Sequence, residues 1–110
     1  MALKSISFPA VTNISGEAFA LCRGLTFASL GMAQYIYASA FYGCSKLESL
    51  YLPSTTMCEL MDVNVFYDTP FSNSNYLGRF GSIYVPRALY ASYRAKANWS
   101  RYADRFAYID

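Results

Sequence analysis

The chain has 110 residues, of which 55% are hydrophobic and 15% are charged, and its formal net charge is +2. This length fits one domain, and no run approaches the 18 uncharged apolar residues of a membrane-spanning helix, so we expect no membrane insertion. The sequence contains no histidine. That absence removes Ser-His and Cys-His nucleophile activation and the commonest general base.

A 22-residue period runs through the first half of the chain. The motif Ala-Phe-x-x-Cys-x-x-Leu begins at Ala18 and again at Ala40. Further apolar positions keep the same period: Leu3, Leu25 and Leu47; Ile6, Ala28 and Leu50; Phe8, Leu30 and Leu52; Ile14, Ile36 and Cys58. A fixed period of this size indicates stacked repeats, because one unit cannot bury its apolar face alone. The sequence therefore predicts a β-rich repeat solenoid with short strands.

Each unit is predicted to open with a short strand. Inward apolar residues alternate with outward residues, as half-buried strands require: Ile6-Ser7-Phe8, Ala28-Ser29-Leu30 and Leu50-Tyr51-Leu52. A proline or glycine then ends each strand at the same offset: Pro9, Gly31 and Pro53. The rest of the unit returns across the back and places four apolar residues of the first unit inward: Ile14, Ala18, Phe19 and Cys22.

The third unit departs from this period. Val65-Phe66 fills the Ala-Phe position, but its phenylalanine follows Phe41 by 25 rather than 22 residues. From about Phe71 the repeat ends, and the serines, asparagines and glycines of residues 72–81 are typical of a loop.

The C-terminal part is predicted to form a cap. A short strand over residues 82–86 ends in a proline that suits the first turn of a helix. That helix is predicted over residues 87–97, with Leu89, Tyr93 and Ala97 on one face, and residues 106–109 form a closing strand. We therefore predict about two and a half repeats in residues 1–70 and a strand-helix capping module in residues 71–110.

These motifs resemble the BspA-like leucine-rich repeats of bacterial and phage-associated surface proteins. The matching features are the Leu-x-x-Ile-x-Phe-Pro opening at Leu3 to Pro9 and the two Ala-Phe-x-x-Cys-x-x-Leu segments. The stretch from Ile83 to Ser100 also resembles the C-terminal module that often follows such repeats. The resemblance covers nearly the whole chain. It implies a leucine-rich-repeat solenoid, a role in adhesion, cell-surface contact or phage tail tips, and an extracellular, cell-surface or virion location.

The three cysteines are predicted to fill core positions. Cys22 and Cys44 lie one period apart and are expected to stack on adjacent coils, with Cys58 extending the column. A strand spacing of about 4.8 Å does not exclude a disulfide between them. An odd cysteine count nevertheless argues against a disulfide framework, and buried free cysteine is common. Three dispersed cysteines without histidine make a poor zinc site, so we expect no metal and no cofactor.

We expect no enzymatic activity and no nucleic-acid partner. The pattern pairs no two of the seven acidic residues in a common pocket and contains no glycine-rich phosphate loop, so we assign no catalytic residue. Six of the nine basic residues follow position 78: Arg79, Arg87, Arg94, Lys96, Arg101 and Arg105. Their loose spacing fits a solvated helix face better than the dense basic stripe of a nucleic-acid-binding protein.

The period also separates core aromatics from candidate binding residues among the 11 Tyr and 8 Phe. Phe27 stands where other units carry serine, and so does Tyr51. Both are predicted to be exposed aromatics on the outward face of the strands, where large apolar side chains commonly mark contact sites. Two further sets are candidates: Tyr35 and Tyr37, which replace Asn13 and Ser15 on the return segment, and Tyr76, Arg79 and Phe80 in the 72–81 loop.

Two hypotheses follow. The first is a non-enzymatic binding module that recognises a protein or glycan on a cell through these aromatics. The second is an assembly module in which the N-terminal coil, predicted to lack a polar cap, packs on a partner or a second copy. We expect no signal peptide, and we expect an excised C-terminal fragment; a preceding domain or a partner over the first coil are the alternatives.

Overall fold

The computed structural model describes residues 4–8, 10–16, 18–67, 69–71 and 81–109. The predictions for Leu3, Pro9 and the loop segment 72–80 lie outside these residues. The strands, in chain order, are β1 (Ser5–Ser7), β2 (Asn13–Ile14), β3 (Phe27–Ser29), β4 (Tyr35–Ile36), β5 (Ser49–Tyr51), β6 (Glu59–Leu60), β7 (Ser82–Val85) and β8 (Phe106–Tyr108). The helices are α1 (Tyr90–Ala95) and three 3₁₀ segments, Val63–Phe66, Arg87–Leu89 and Trp99–Arg105.

The first sheet contains five parallel strands in the order β1-β3-β5-β7-β8. Ile6 lies beside Ala28, and Ala28 beside Leu50, so adjacent strands pair at the predicted 22-residue offset. The alternation is also as predicted, because each of these central residues is buried while its neighbours along the strand face outward. Ile83 and Phe106 continue the row. The strands of the predicted cap thus extend the same sheet, and the division of the chain at residue 70 stays a prediction.

The second sheet corrects one predicted position. Its strands are parallel in the order β2-β4-β6, with Ile14 beside Ile36 and Ile36 beside Leu60. Leu60 therefore occupies the third position, which the period had assigned to Cys58. The physical reason is a two-residue insertion between the two strands of the third unit. Ile36 follows Leu30 by six residues, whereas Leu60 follows Leu52 by eight.

A stack of phenylalanine rings lies behind the first sheet. The ring centroids are 5.6 Å apart for Phe8 and Phe19, 5.5 Å for Phe19 and Phe41, and 5.8 Å for Phe41 and Phe66. The backbone N–H of Phe41 donates to the carbonyl of Val65, which confirms that Val65-Phe66 fills the Ala-Phe position despite its 25-residue spacing. Each fully buried ring stabilises the fold by roughly 1.5–3 kcal/mol.

The predicted C-terminal helix is shorter than expected. Residues 87–89 are 3₁₀, α1 ends at Ala95, and Lys96 is already extended. Asn98 then adopts a positive φ of 68°. Tyr93 is buried as predicted, but Ala97 is exposed and lies outside the helix. The chain must turn here because the residues that follow return to the third unit.

Side chains of the C-terminal segment bind the backbone of the third unit. Tyr93 Oη accepts the Cys58 N–H at 2.7 Å, and Trp99 Nε1 donates to the Cys58 carbonyl at 2.8 Å. Asn98 Nδ2 donates to the Leu60 carbonyl at 2.7 Å. Tyr93 and Trp99 are fully buried. These contacts satisfy backbone groups at the end of the second sheet, where buried groups without a partner would be costly.

Tyr93→Phe tests this set of contacts. The variant keeps the ring but removes the acceptor of the buried Cys58 N–H, so we expect a loss of about 1–3 kcal/mol in the free energy of unfolding. Urea denaturation followed by circular dichroism measures it. Tyr90→Phe, at a half-buried position of the same helix, is the matched control and should change stability little. Equal stability of the two variants would contradict the role given to the Tyr93 hydroxyl.

Candidate functional surface

The outward side of the first sheet carries three aromatic rings in contact. Phe27 and Tyr51 have ring centroids 5.1 Å apart, and Tyr51 and Tyr84 are stacked at 4.5 Å with 18° between their planes. Tyr51 and Tyr84 lie side by side in register, while Phe27 is diagonal to Tyr51 because it pairs with Ser49. We call this row the aromatic ladder. It crosses β3, β5 and β7.

The ladder residues are half-buried, which corrects the expectation that Phe27 and Tyr51 are exposed. Phe27 and Tyr51 do point outward, since Ala28 and Leu50, the next positions on β3 and β5, are buried and face the core. The burial arises because each ring covers part of the next one. The sequence did not predict Tyr84 as part of this surface, although its neighbours in Ser82-Ile83-Tyr84 alternate like those of Tyr51.

Serines surround the ladder on the same side of the sheet. The outward positions of the strands, other than the three rings and Ala107, are Ser5, Ser7, Ser29, Ser49 and Ser82. These outward strand positions carry no charged side chain. The ladder and these serines together form a neutral, hydroxyl-lined surface, which we call the ladder face.

The other predicted tyrosines lie on the second sheet. Tyr35 pairs with Asn13 and Glu59, and the Tyr35 and Tyr37 rings are 6.3 Å apart on either side of buried Ile36. Both tyrosines are exposed. The structure therefore places them as predicted along the return segment, but on a different sheet from the ladder face. The third candidate set, Tyr76, Arg79 and Phe80, lies outside the described residues.

A further exposed pair was not predicted. The Tyr42 and Tyr67 rings are stacked with centroids 5.5 Å apart, and both are exposed. Each tyrosine directly follows a phenylalanine of the core stack, Phe41 or Phe66. The repeat alignment of these two phenylalanines therefore contained the signal that would have found the pair.

Basic residues of the C-terminal segment contact tyrosine rings. The Arg87 guanidinium carbon lies 4.0 Å from the centre of the Tyr108 ring, and that of Arg94 lies 5.4 Å from the centre of Tyr90. Tyr90 and Tyr108 meet edge to face at 4.6 Å. A shallow groove of about 350 Å³ adjoins Arg87 and is otherwise lined mainly by apolar residues. Each of these two arginines thus lies against one tyrosine ring.

Two of the three cysteines, Cys44 and Cys58, are buried. All three are free, and the Cys44 thiol donates to the Phe19 carbonyl at 3.0 Å. Burial raises the pKa of Cys44 to about 12 and that of Cys58 to about 12, because a thiolate loses solvation inside the core. Among the residues that the structure describes, no three histidine, cysteine or carboxylate side chains form a group that could hold a metal ion.

The comparisons with known proteins identify the family. The family model described as "BspA type Leucine rich repeat region (6 copies)" matches residues 1–87. The chain belongs to the BspA-type leucine-rich repeat family. Comparison with curated proteins and with solved structures gave no match.

Membership in the BspA-type family implies a solenoid-like repeat fold, and the described residues form a small β-rich structure with short parallel strands and a C-terminal helix. Proteins of this family typically act as non-enzymatic protein-interaction or adhesion modules and are commonly associated with surfaces. In the described part of the chain, no helix has the length and apolar character needed to cross a membrane.

The buried thiols predict that stability falls at alkaline pH. Above about pH 9 the unfolded chain releases thiol protons that Cys44 and Cys58 retain in the folded state. The unfolded state then binds fewer protons, so the free energy of unfolding decreases as the pH rises from about 9 toward 12. Tyr93, whose pKa burial also raises to about 12, adds to this loss above about pH 10.

Urea unfolding at about pH 8, below the window of about 9 to 12 set by the two thiols, and at about pH 10.5, inside that window, measures the effect. We expect roughly 1–2 kcal/mol of lost stability for each buried thiol at the higher pH. A Cys44→Ala/Cys58→Ala variant is the control and should lose clearly less than the unsubstituted chain. An equal loss of unfolding free energy in the two proteins between the two pH values would contradict the assignment of the pH dependence to these thiols.

Proposed function

We propose that this chain is a non-enzymatic recognition module of a bacterial or phage surface protein, acting from the cell surface or the virion. Its ladder face binds a protein or glycan on a cell. The observation that carries the proposal is the aromatic ladder itself. Three large rings stand on the outward side of a sheet whose inward side already supplies the core.

The core does not require these rings. Buried Ala28, Leu50 and Ile83 form the inward side of the same three strands. The equivalent outward positions of neighbouring strands carry serine. Because a small polar residue suffices at these positions elsewhere in the sheet, the rings of the ladder are available for contact with a ligand.

The ladder is also preorganised. Contact of the Tyr51 ring with those of Phe27 and Tyr84 restricts the rotamers of all three side chains before any ligand arrives. Immobilising such side chains on binding would otherwise cost about 0.5–1.5 kcal/mol each. Tyrosine in particular combines a large apolar contact area with one polar tip and few rotatable bonds, which suits recognition surfaces.

The remaining predicted aromatics are secondary candidates for contact. Tyr35 and Tyr37 are exposed on the second sheet, where Glu59 and Lys96 form an ion pair at 3.3 Å. We propose that they contribute further contacts and that Tyr76, Arg79 and Phe80 do so as well. The ladder ranks first because its rings touch one another and form one continuous surface.

Serine substitutions in the ladder test the proposal. We expect Phe27→Ser/Tyr51→Ser to abolish binding of the chain to cells that the unsubstituted chain binds, because both rings leave the surface. The chain is attached in many copies to beads, and the beads are mixed with a panel of bacterial and animal cells. Multivalency increases the avidity of a weak interaction enough to detect it. Flow cytometry counts bead-carrying cells, and circular dichroism verifies folding.

Tyr42→Ser/Tyr67→Ser is the matched control, because it also removes two aromatic rings in contact, from another surface. This control variant should bind like the unsubstituted chain. Binding that survives loss of Phe27 and Tyr51 in a folded variant, or no binding to any cell of the panel by the unsubstituted chain, would overturn the proposal.

The second candidate function is assembly through the N-terminal coil. Phe8 and Phe19 are half-buried at this end, and Val11 is 39% exposed. They line a depression of about 140 Å³. We propose as the alternative that a second copy of the chain covers these apolar side chains.

Light scattering coupled to size exclusion tests the alternative. Assembly predicts a multiple of the 12.3 kDa chain mass, and Val11→Asp should return the mass to that of one chain because it places a charge in the buried contact. Ala10→Asp, which changes an exposed residue outside the lining of the depression, is the control. A single-chain mass for the unsubstituted protein at high concentration would contradict assembly through this coil.

A further inference from the structure

We propose that the ligand of the ladder face is a neutral oligosaccharide, with one sugar ring stacked on the side of the Tyr84 ring that faces β8, above Ala107. This inference rests on the proposed function, because it names the ligand class of the same surface. Three observations lead to it: the small residue beside the last ring, the uncharged outward positions of the described strands, and the size of the face.

Along the described strands the ladder ends at Tyr84, and its two strand neighbours differ. One side of the ring stacks on Tyr51 at 4.5 Å. On the other side lies β8, where the residue in register with Tyr84 is Ala107, which carries only a methyl group. Among the described residues, Tyr51 supplies the ring contact of Tyr84, so the side toward β8 faces a step above Ala107. Tyr51, by contrast, has a ring on each side.

A sugar ring has the chemistry that suits the position above Ala107 beside the Tyr84 ring. Its flat face of C–H groups packs against an aromatic ring, while its hydroxyl groups need hydrogen-bonding partners around the edge. Ser82 lies two residues before Tyr84 on the same side of β7, which is about 7 Å along the strand, and Ser49 is in register with Ser82. The Tyr84 and Ser82 hydroxyls can therefore bind the edge of a sugar whose face lies on the Tyr84 ring.

The face favours a neutral ligand. Its outward positions are serine, alanine, phenylalanine and tyrosine. A sulfate, phosphate or carboxylate placed on it would lose hydration without gaining an opposite charge. The second sheet differs, since its outward side carries the Glu59–Lys96 ion pair. Neutral sugars lose less hydration and recover it through hydroxyl groups of serine and tyrosine.

The size of the face separates a glycan from a folded protein. Five strands at about 4.8 Å spacing and three residues at about 3.3 Å rise give a strip of roughly 19 by 10 Å, or about 200 Å². A stable protein partner typically covers about 800 Å² on each side. The strip by itself is therefore smaller than a standard protein interface, and its elongated shape accommodates a few sugar units laid across the strands.

The experiment uses cells that the chain-coated beads bind, and treats these cells before the beads are added. Periodate, which cleaves the vicinal diols of sugars, is applied to one sample and a protease to a second, while a third is tested in 0.5 M NaCl. We expect periodate to reduce binding at least tenfold and salt to change it less than twofold. Tyr84→Ser should lose at least tenfold, and Tyr84→Phe, which keeps the ring, should stay within about threefold of the unsubstituted chain. Tyr67→Ser is the control and should bind normally.

Each outcome decides a separate point. Binding that resists periodate but is lost with protease would show a protein ligand; it would overturn the glycan inference and leave the proposed function standing. A tenfold fall in bead binding at the high salt concentration would show a charged ligand and overturn the neutral class. Normal binding by folded Tyr84→Ser would overturn the stacking site. If the unsubstituted beads bind none of the untreated cells, the proposed function itself fails.

Discussion

The structure depends on one constraint, the parallel backbone pairing that holds successive units at a fixed register. Pairing of Ile6 with Ala28 and of Ala28 with Leu50 sets each side chain beside its counterpart in the next unit. Because side chains alternate along a strand, this pairing separates the inward residues from the outward residues across the whole sheet. The core and the ladder face are therefore two sides of the same register, and a slip by one residue would exchange them.

In the second sheet the repeat pairing ends at the third unit, and the C-terminal segment provides side-chain hydrogen bonds to the backbone there. The Cys58 backbone is bound by Tyr93 and Trp99, and the Leu60 carbonyl by Asn98. The first sheet does not end with the third unit, because β7 and β8 continue it in parallel. This continuation brings Tyr84 beside Tyr51 and leaves small Ala107 on its other side. Termination of the repeats thus shapes the end of the candidate site.

The sequence predicted what the period determines and missed what irregular segments determine. The strands of the first three units and the Phe41–Phe66 contact followed from side-chain alternation and repeat spacing. The assignment of Cys58 beside Ile36 was wrong because two inserted residues shift the pairing to Leu60. Tyr84 was missed because it follows Tyr51 by 33 residues, so no fixed period links them. The partial burial of the ladder also depends on ring-to-ring contact, which spacing alone does not specify.

The central claim is that the register puts the ladder rings together on one side of the sheet and the phenylalanine stack on the other. A carbon-edited aromatic NOESY spectrum tests it most directly in solution. We predict cross-peaks between the rings of Phe27 and Tyr51 and between those of Tyr51 and Tyr84, with a separate series that links Phe41 to Phe66. Cross-peaks from Tyr51 to Phe41, or none between Tyr51 and Tyr84, would show a different register and contradict the account.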